Sequence, residues 1–385
     1  MIQNVFLIFA FLTSIFTLGT DNLIIAPLLS QIAKTMSSTP QYVSFGITLY
    51  SGAYGVFAIV LAPISDIFGR KRTIGVSGFT FGICSIVLAF CSSGWLFLML
   101  RFLTGLSAAV LGPGLWAYCA DNFKAHKREM MISWMMSFFS LATVLGIPIG
   151  LLISKIFNWQ IIFLFTGIIM LFSVGIFYIY GITTKQASFS IKKHFSNISK
   201  AFSLNGQLNI SMLFSSGAYM VVYAFLSVWI QSISHFNSIK LAWLFFLIGI
   251  MSFLGSIISG QLLRKFAAFK LVAVAWLFQV LLITSILFLF KLPILLACVF
   301  SLWAFMVNFG NSAFVNMISE TTSDLRGSVM ALNNSSIFLG FTLGSMMGSL
   351  AMAVNHTLLS NIIIAEIFGI IAFLLLHRQL SQKRR

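Results

Sequence analysis

The chain has 385 residues, 59% of them hydrophobic and 8% charged, and its Lys and Arg residues exceed its Asp and Glu residues by a formal net charge of +16. This composition, with a mean hydropathy of +1.02, leaves too little polar surface to cover a water-soluble globule, so most side chains must face lipid. The positive charge does not indicate nucleic acid as a partner, because the cations are spread over separate short loops. The four cysteines show no paired spacing, which argues against a disulfide framework or a zinc site.

Twelve apolar runs follow one another along the chain. Each has about the 20 residues that cross a bilayer, so we predict an all-α membrane protein with twelve transmembrane helices. The predicted spans, with bounds uncertain by a few residues, cover about 5–32, 41–63, 73–91, 95–121, 130–154, 160–181, 208–232, 242–263, 270–290, 294–318, 328–353 and 359–377. The first run lacks a preceding basic segment and an Ala-x-Ala-like site, so we expect a retained helix and not a cleaved signal peptide.

The positive charges fall mainly at one side of this predicted bundle. All but five of the 23 Lys and Arg residues lie in the loops and the tail assigned to one side; the exceptions are Lys34, Lys155, Lys240, Lys291 and Arg101. Positive charge marks the cytoplasmic side of membrane proteins. We therefore expect both termini in the cytoplasm, which requires an even number of spans.

The segment 183–207, rich in Ser and Lys, is the one long break between apolar runs. It divides the chain into an N-terminal six-helix bundle (1–182) and a C-terminal six-helix bundle (208–377), followed by a basic tail (378–385). Glycine clusters recur about half a chain apart, in the fifth and eleventh spans, which indicates weak internal symmetry. Paired six-helix halves are typical of secondary transporters, whose substrate site lies between the halves near mid-membrane.

Few ionisable residues lie within the spans, and such residues are costly in lipid and hence informative. They are Asp21, Arg101 and Glu366, with Asp121 at a helix end. Asp21 shares a helical face with other polar residues of the first span, and helical rise places it at a depth similar to that of Arg101. Two interpretations remain open: a buried pair that locks two helices together, or a carboxylate that exchanges protons. Glu366 has no assigned role.

Four motifs stand in a characteristic order. The loop after the second span contains Asp66, Gly69, Arg70 and Lys71 in the pattern Asp-x-x-Gly-basic-basic. Arg101 is followed by Gly105 and small residues, the fifth span contains Gly146-Ile147-Pro148-Ile149-Gly150, and Asn158-Trp159 comes after it. The eleventh span opens with Arg326-Gly327 and contains Leu332-Asn333-Asn334. Together these motifs resemble the major facilitator superfamily, in its twelve-span drug:proton antiporter branch, close to bacterial multidrug- and sugar-efflux permeases. Three positions depart from the pattern: Ala62, Ile67 and Gln160.

The resemblance implies two pseudo-symmetric six-helix bundles and a role for each motif. Asp66 and Arg70, with Gly69, Lys71 and Asp121, would form a gate at the cytoplasmic side. Asp21 and Arg101 would couple transport to protons, and Gly146, Pro148 and Gly150 would form the antiporter motif. In this fold the first, fourth, seventh and tenth helices line the cavity, and polar groups in lipid turn inward. Candidate substrate contacts on these helices are Trp116, Tyr219, Tyr223, Asn308 and Asn311, and Tyr54 on the second helix is a further candidate.

We accordingly expect a monomeric, proton-coupled exporter of small amphiphilic molecules in the bacterial inner membrane, with no cofactor, metal or nucleic-acid partner. The main alternative is an uncoupled or proton-symporting importer on the same fold, which the fifth-span motif disfavours. A non-transporting membrane sensor is a third possibility, but no appended soluble domain supports it. An enzyme is disfavoured because the sequence shows no nucleophile–base set and no metal cluster.

Overall fold

The computed structural model describes residues 2–123, 125–182, 190–234, 236–289, 292–319, 325–355 and 358–383. Within these ranges the chain is helical almost throughout and contains no strand. The helices are α1 (Ile2–Leu23), α2 (Ile25–Thr35), α3 (Pro40–Val60), α4 (Ala62–Phe68), α5 (Arg70–Ala89), α6 (Gly94–Asn122), α7 (Ala125–Leu141), α8 (Ile147–Ile156), α9 (Trp159–Tyr180), α10 (Ile191–Ser234), α11 (Ser238–Leu262), α12 (Ala268–Leu289), α13 (Pro293–Ser319), α14 (Arg326–Asn355) and α15 (Leu358–Lys383). Among the described residues, 12 helical stretches are long and apolar enough to cross a membrane, which confirms the predicted fold class.

Two predicted spans are interrupted. The first divides at Ile24 into α1 and α2, because Pro27 has no N–H to donate to the Leu23 carbonyl. The fifth contains a π-helical turn, Ala142–Gly146, between α7 and α8, where the N–H of Ile147 donates to the carbonyl of Ala142. Pro148 explains this wider turn, since it cannot donate to the carbonyl four residues earlier.

The seventh span differs most from its predicted bounds. It belongs to α10, a continuous helix of 44 residues that begins at Ile191 and not near residue 208. Residues 191–207 of the expected linker are therefore helical, and residues 183–189 lie outside the described residues. The last helix, α15, likewise continues to Lys383, beyond the predicted start of the tail.

Most consecutive spans are separated by few residues, and neighbouring spans so alternate in direction across the bundle. Both described chain ends consequently lie at one end of it, which we call the terminal face; the opposite end is the far face. At the far face, the side chains of Thr39, Asn158 and Asn237 each accept a hydrogen bond from a backbone N–H three residues later. These N-caps satisfy donors that would otherwise lack partners at the starts of α3, α9 and α11.

The buried apolar residues form separate clusters at the two faces. At the far face one cluster joins the N-terminal half (α1–α9) to the C-terminal half (α10–α15), with Ile25 and Leu29 in the same core as Val222 and Leu226. At the terminal face each half has its own core. One contains Phe11, Tyr118 and Phe177, and the other contains Met212, Trp276 and Phe314. The halves are therefore fused at the far face.

Two pairs of helices make the contact between the halves. Helix α3 lies antiparallel to α14 along its length, and hydroxyl groups pair at Ser44–Ser349 and Thr48–Ser345, the latter at 2.8 Å. Helix α11 lies against the fifth span at Gly249, where an added Cβ would lie 2.7 Å from the Cα of Val144. Between these two contacts the halves diverge around a central cavity.

Candidate functional site

The central cavity lies between the two halves and has a volume of about 250 Å³. The N-terminal half contributes the end of α1 and the fifth span, and the C-terminal half contributes α10, α11, α13 and α14. Its polar side chains are Asn22, Thr143, Ser215, Ser216, Tyr219, Tyr223, Ser252, Asn308, Asn311 and Asn334. Phenylalanines and aliphatic residues complete the wall, so the cavity combines hydrogen-bonding and apolar surface.

Four of the six predicted substrate contacts line this cavity: Tyr219, Tyr223, Asn308 and Asn311. Tyr54 lies behind the wall, where its hydroxyl accepts a hydrogen bond of 3.3 Å from Asn334 Nδ2. Trp116 packs against the terminal-face core of the N-terminal half. The cavity wall thus comes mainly from the C-terminal half.

Asp21 and Arg101 form an ion pair inside the N-terminal half. Arg101 Nη1 donates to Asp21 Oδ2 at 2.8 Å, and both side chains are fully buried. The guanidinium carbon lies 4.3 Å from the centroid of the Tyr50 ring, a cation–π contact. Asp21 Oδ1 and two of the guanidinium nitrogens have no hydrogen-bond partner. A buried pair this incompletely satisfied contributes little net stability.

Glycines set the position of this ion pair. A Cβ on Gly105 would overlap the Tyr50 carbonyl, and one on Gly46 would lie 3.2 Å from Arg101 Cγ. These close approaches bring α6 against α3, so that Arg101 lies over the Tyr50 ring. The pair is next to the cavity wall along the chain, since the residue after Asp21 is Asn22, which lines the cavity.

The antiporter-motif residues hold the fifth span against the first. A Cβ on Gly146 would collide with Thr20 Oγ1, and one on Gly150 would lie 2.8 Å from Ile24 Cδ1. Small residues allow such close helix contacts in membranes. Pro148 follows the π-helical turn. The motif glycines therefore pack beside Asp21, and the intervening Ile147 lines the cavity.

The predicted gate residues lie at the terminal face. Gly69 separates α4 from α5 with a φ of 87°, a conformation that favours glycine. Arg70 Nε pairs with Asp121 Oδ2 at 3.0 Å, and its Nη1 donates to Ser65 Oγ at 2.8 Å. Lys71 Nζ lies 5.4 Å from the centroid of the Tyr178 ring. The side chain of Asp66 lies outside the described residues. The described gate contacts join helices of the N-terminal half.

Glu366 lies on α15, in the C-terminal half. Its Oε1 accepts a hydrogen bond of 2.7 Å from Thr284 Oγ1, which joins α15 to α12. It is half-buried and does not line the cavity.

Comparison with known proteins decides the family. The sequence profile described as the Major Facilitator Superfamily matches residues 10–345, most of the chain. The chain belongs to the Major Facilitator Superfamily.

Relatives and a solved structure agree with this membership. The uncharacterized MFS-type transporter YceJ of Bacillus subtilis is 24% identical over 91% of this chain and 90% of its own length. A probable sugar efflux transporter of Helicobacter pylori is 22% identical over 69% of each chain. A further match, to the MFS-type transporter YwfA of B. subtilis, spans 35% of that relative. A bacterial homologue of the human lysosomal transporter Spinster, solved in an inward-facing and unoccupied conformation, has a TM-score of 0.71, with 14% identity and 97% coverage of both chains.

Some residues of the cavity wall were easier to predict from the sequence than others. Asn22, Asn334, Ser216 and Phe245 were missed as cavity residues. Asn334 belongs to the motif of the eleventh span, and Asn22 is adjacent to Asp21. Both residues could therefore have been predicted as cavity residues from the sequence. Phe245 could not, because it is one of 42 phenylalanines.

Proposed function

We propose that this chain is a proton-coupled exporter of small amphiphilic molecules in the bacterial cytoplasmic membrane, working by alternating access. One observation carries the proposal: a fully buried carboxylate, Asp21, sits one residue from the wall of a cavity between two six-helix halves. Coupling of transport to protons requires an ionisable group close to the substrate cavity, and Asp21 is such a group. The relative named as a probable sugar efflux transporter supports the direction of transport.

The two faces of the bundle support alternating access. The far face is closed by a core shared between the halves, whereas each half has a separate core at the terminal face. Opening one face while closing the other would expose the cavity to each side in turn. With the termini in the cytoplasm, the structure corresponds to an inward-facing state.

The ion pair makes proton binding and conformation depend on each other. A proton on Asp21 would cancel the charge opposite Arg101 and leave a buried cation, with the Tyr50 ring as its remaining described partner. An unpaired buried charge costs several kcal/mol. Protonation therefore favours a rearrangement in which Arg101 finds water or another partner. A proton that crosses down a potential of 100 mV releases about 2.3 kcal/mol, which can drive export.

The other motif residues take supporting roles. Arg70, Asp121 and Asp66 hold the helix ends at the terminal face and set the balance between conformations, with Gly69 and Lys71 shaping the loop. Gly146, Pro148 and Gly150 keep the fifth span packed closely against the first, beside Asp21. The substrate contacts are Tyr219, Tyr223, Asn308 and Asn311, with Tyr54 and Trp116 as second-line candidates.

The orientation follows from the charge distribution. The loops and the tail at the terminal face hold most of the 23 Lys and Arg residues, and such loops stay in the cytoplasm. A cysteine introduced in the 183–207 segment should react with an impermeant reagent only in opened cells. Reaction in intact cells would reverse the orientation and the assigned direction of transport.

The coupling role is tested by Asp21→Asn in proteoliposomes. The amide mimics the protonated carboxyl group, so we expect efflux driven by an imposed pH gradient to be lost while downhill exchange of substrate continues. Thermal stability should change little, since the amide mimics a protonated state that the transport cycle visits, in which Arg101 has moved to water or to another partner. Glu366→Gln is the matched control and should keep gradient-driven efflux.

Each contrary outcome has a distinct meaning. Undiminished gradient-driven efflux by Asp21→Asn would remove Asp21 from the mechanism and make Glu366 the next candidate. A loss of several kcal/mol in stability, with coupling retained at lower temperature, would assign the pair a structural role only. Gradient-driven uptake in place of efflux would indicate a symporter.

A further inference from the structure

The central cavity contains no formal charge on its described wall. Its polar groups are amides and hydroxyls, and no Asp, Glu, Lys, Arg or His is among the described residues that line it. The nearest ion pair, Asp21–Arg101, is fully buried inside the N-terminal half and contains one charge of each sign. A charged molecule in this cavity would therefore lose its hydration without gaining a counter-charge.

The asparagines offer hydrogen bonds in both directions. Asn308 Nδ2 donates to the Ala304 carbonyl at 3.2 Å, which leaves the Oδ1 of that side chain as an acceptor. Asn334 Nδ2 donates to the Tyr54 hydroxyl at 3.3 Å, with the same consequence. Asn311 lies one helical turn from Asn308 and also faces the cavity. Molecules with hydroxyl or amide groups match such a surface, since each group can donate and accept.

Further polar atoms on the cavity wall lack partners. Asn22 Oδ1, Ser216 Oγ and the Tyr223 hydroxyl are buried and form no hydrogen bond within the described protein. A buried polar atom without a partner costs about 1–3 kcal/mol. A ligand that supplies the missing partners would recover part of this cost. These atoms add to the neutral hydrogen-bonding surface of the cavity.

The aromatic part of the wall is already stacked on itself. The Tyr219 ring stacks on Tyr223 with a centroid distance of 5.1 Å and on Trp303 at 5.2 Å, and Phe245 meets Tyr223 edge-on at 5.8 Å. Open aromatic faces attract cations, but ring faces used in mutual stacking are less available to a ligand. The rings therefore serve as an apolar surface, against which a ligand can lay a ring or a hydrocarbon.

We propose that this cavity selects uncharged molecules that carry several hydroxyl or amide groups on one side and an aromatic or hydrocarbon group on the other. This inference rests on the proposed function and specifies its substrate class. Burying an unpaired charge is far more costly than burying a neutral group with hydrogen bonds. The volume of about 250 Å³ limits the ligand to a small molecule.

Three probes of matched shape test the selection. They are phenyl glucoside, which is neutral, phenyl glucuronide, which carries a carboxylate, and phenyl 6-amino-6-deoxyglucoside, which carries an ammonium group. Binding to the purified full-length protein is measured by calorimetry. We expect the neutral probe to bind at least about tenfold more tightly than either charged probe. Equal or tighter binding of a charged probe, or no binding of any of the three, would overturn the inference.

A charge placed in the cavity gives a second measurement. Asn311→Asp adds a carboxylate of the same shape to the wall, so the amino probe should gain affinity relative to the neutral one. Asn316→Asp is the matched control on the same helix, since Asn316 is exposed and does not line the cavity. No gain with Asn311→Asp, or an equal gain with the control, would show that the cavity does not set charge selectivity.

Transport by the same proteoliposomes separates this inference from the proposed function. If the neutral probe binds selectively but a pH gradient does not move it, proton-coupled export is wrong and the selectivity stands. If a pH gradient drives efflux of the amino probe in preference to the neutral one, the export stands and the selectivity is wrong.

Discussion

The far face and the terminal face of this bundle are built differently. At the far face, residues of α2 and α10 share one core, and Ser227 Oγ donates to the Ala26 carbonyl at 2.6 Å across the two halves. At the terminal face, the two halves have separate cores. The helices thus share one core at one end and have separate cores at the other, where α3 still contacts the C-terminal half: His194 Nε2 lies 3.3 Å from the Ile59 carbonyl oxygen.

The chemistry of the contacts follows the same division. Contacts between the halves use neutral groups, such as Thr48–Ser345 and Ser227–Ala26. The ion pairs described above, Asp21–Arg101 and Arg70–Asp121, lie within the N-terminal half. Neutral hydrogen bonds contribute about 1 kcal/mol each and exchange readily for water, whereas breaking a buried ion pair costs several. Under the proposed alternating access, the interface between the halves is therefore the part of the molecule expected to open.

The largest effect is expected from breaking the buried ion pair. Arg101→Leu leaves Asp21 as an unpaired buried carboxylate and should lower the free energy of unfolding by about 3–5 kcal/mol. Asp21→Asn combined with Arg101→Leu should recover much of this loss, because no buried charge remains. Unfolding in detergent, followed by circular dichroism, measures both. The control is Arg264→Leu at an exposed turn, and an equal loss in that control would contradict the special role of the pair.

A smaller but more specific effect is expected at the contact between α11 and the fifth span. Gly249→Val places its side chain against the backbone of Thr143 and Val144, and such overpacking costs about 1–3 kcal/mol. The cost applies only while the far face is closed, so the far face should open and transport should fall.

Labelling measures this opening. A reporter, Leu29→Cys, in a variant without the natural cysteines, should react faster from the far face when Gly249→Val is present. Gly260→Val is the matched control on the same helix, because a Cβ there has nothing within 4 Å. Unchanged labelling with Gly249→Val would mean that this contact does not hold the far face closed.

A third effect concerns the terminal face. Arg70→Ala removes the hydrogen bonds to Asp121 and Ser65. Because the side chain of Asp121 is 44% exposed, the free energy of unfolding should fall by only about 1 kcal/mol. We expect transport to slow several-fold while substrate affinity stays constant. Arg72→Ala, an exposed neighbour, is the control. If both variants slow transport equally, these cations act as topological anchors and not as a gate.

The smallest effect is expected from a single neutral contact between the halves. Ser345→Ala removes the hydrogen bond to Thr48 and should weaken far-face closure by about 0.5–1 kcal/mol. Labelling of the Leu29→Cys reporter should rise only a few-fold. Ser301→Ala, whose hydroxyl bonds to its own helix at Ala297, should leave labelling unchanged. A rise as large as that with Gly249→Val would show that the hydroxyl pairs, and not the packing, close the far face.

Much of the fold could be predicted from hydropathy, and the failures have physical causes. The fourth span, predicted at about 95–121, is observed at Gly94–Asn122, because a membrane helix must be apolar over its crossing length. The start of α10 at Ile191 could not be found in this way, since a helix outside lipid needs no apolar run. Pro27 and Pro148 mark the interruptions of the first and fifth spans, because proline cannot donate to the carbonyl four residues earlier.

The charged residues of the candidate site could be predicted from the sequence, whereas much of the cavity wall could not. Asp21 and Arg101 are rare ionisable residues within spans, and burial obliges them to pair, so their meeting followed from the sequence. The wall of the cavity depends on the rotation and tilt of several helices. That geometry separates Tyr219, which lines the cavity, from Trp116, which does not, although both are aromatic residues of predicted cavity helices.

The length of α10 gives the closed far face a mechanical consequence. At 1.5 Å per residue, Ser227 lies ~12 Å from Tyr219 along this helix, whereas Ile191 lies ~42 Å away in the other direction. If the helix tilts as a stiff rod about the turn that lines the cavity, the displacement of its start is about 3.5 times that of Ser227. A separation of about 3 Å between Ser227 and Ala26, enough to break their hydrogen bond, would then swing the start of the helix by about 10 Å. The segment that joins the two halves would thus amplify a movement smaller than one helical turn into one that a spectroscopic distance probe can follow.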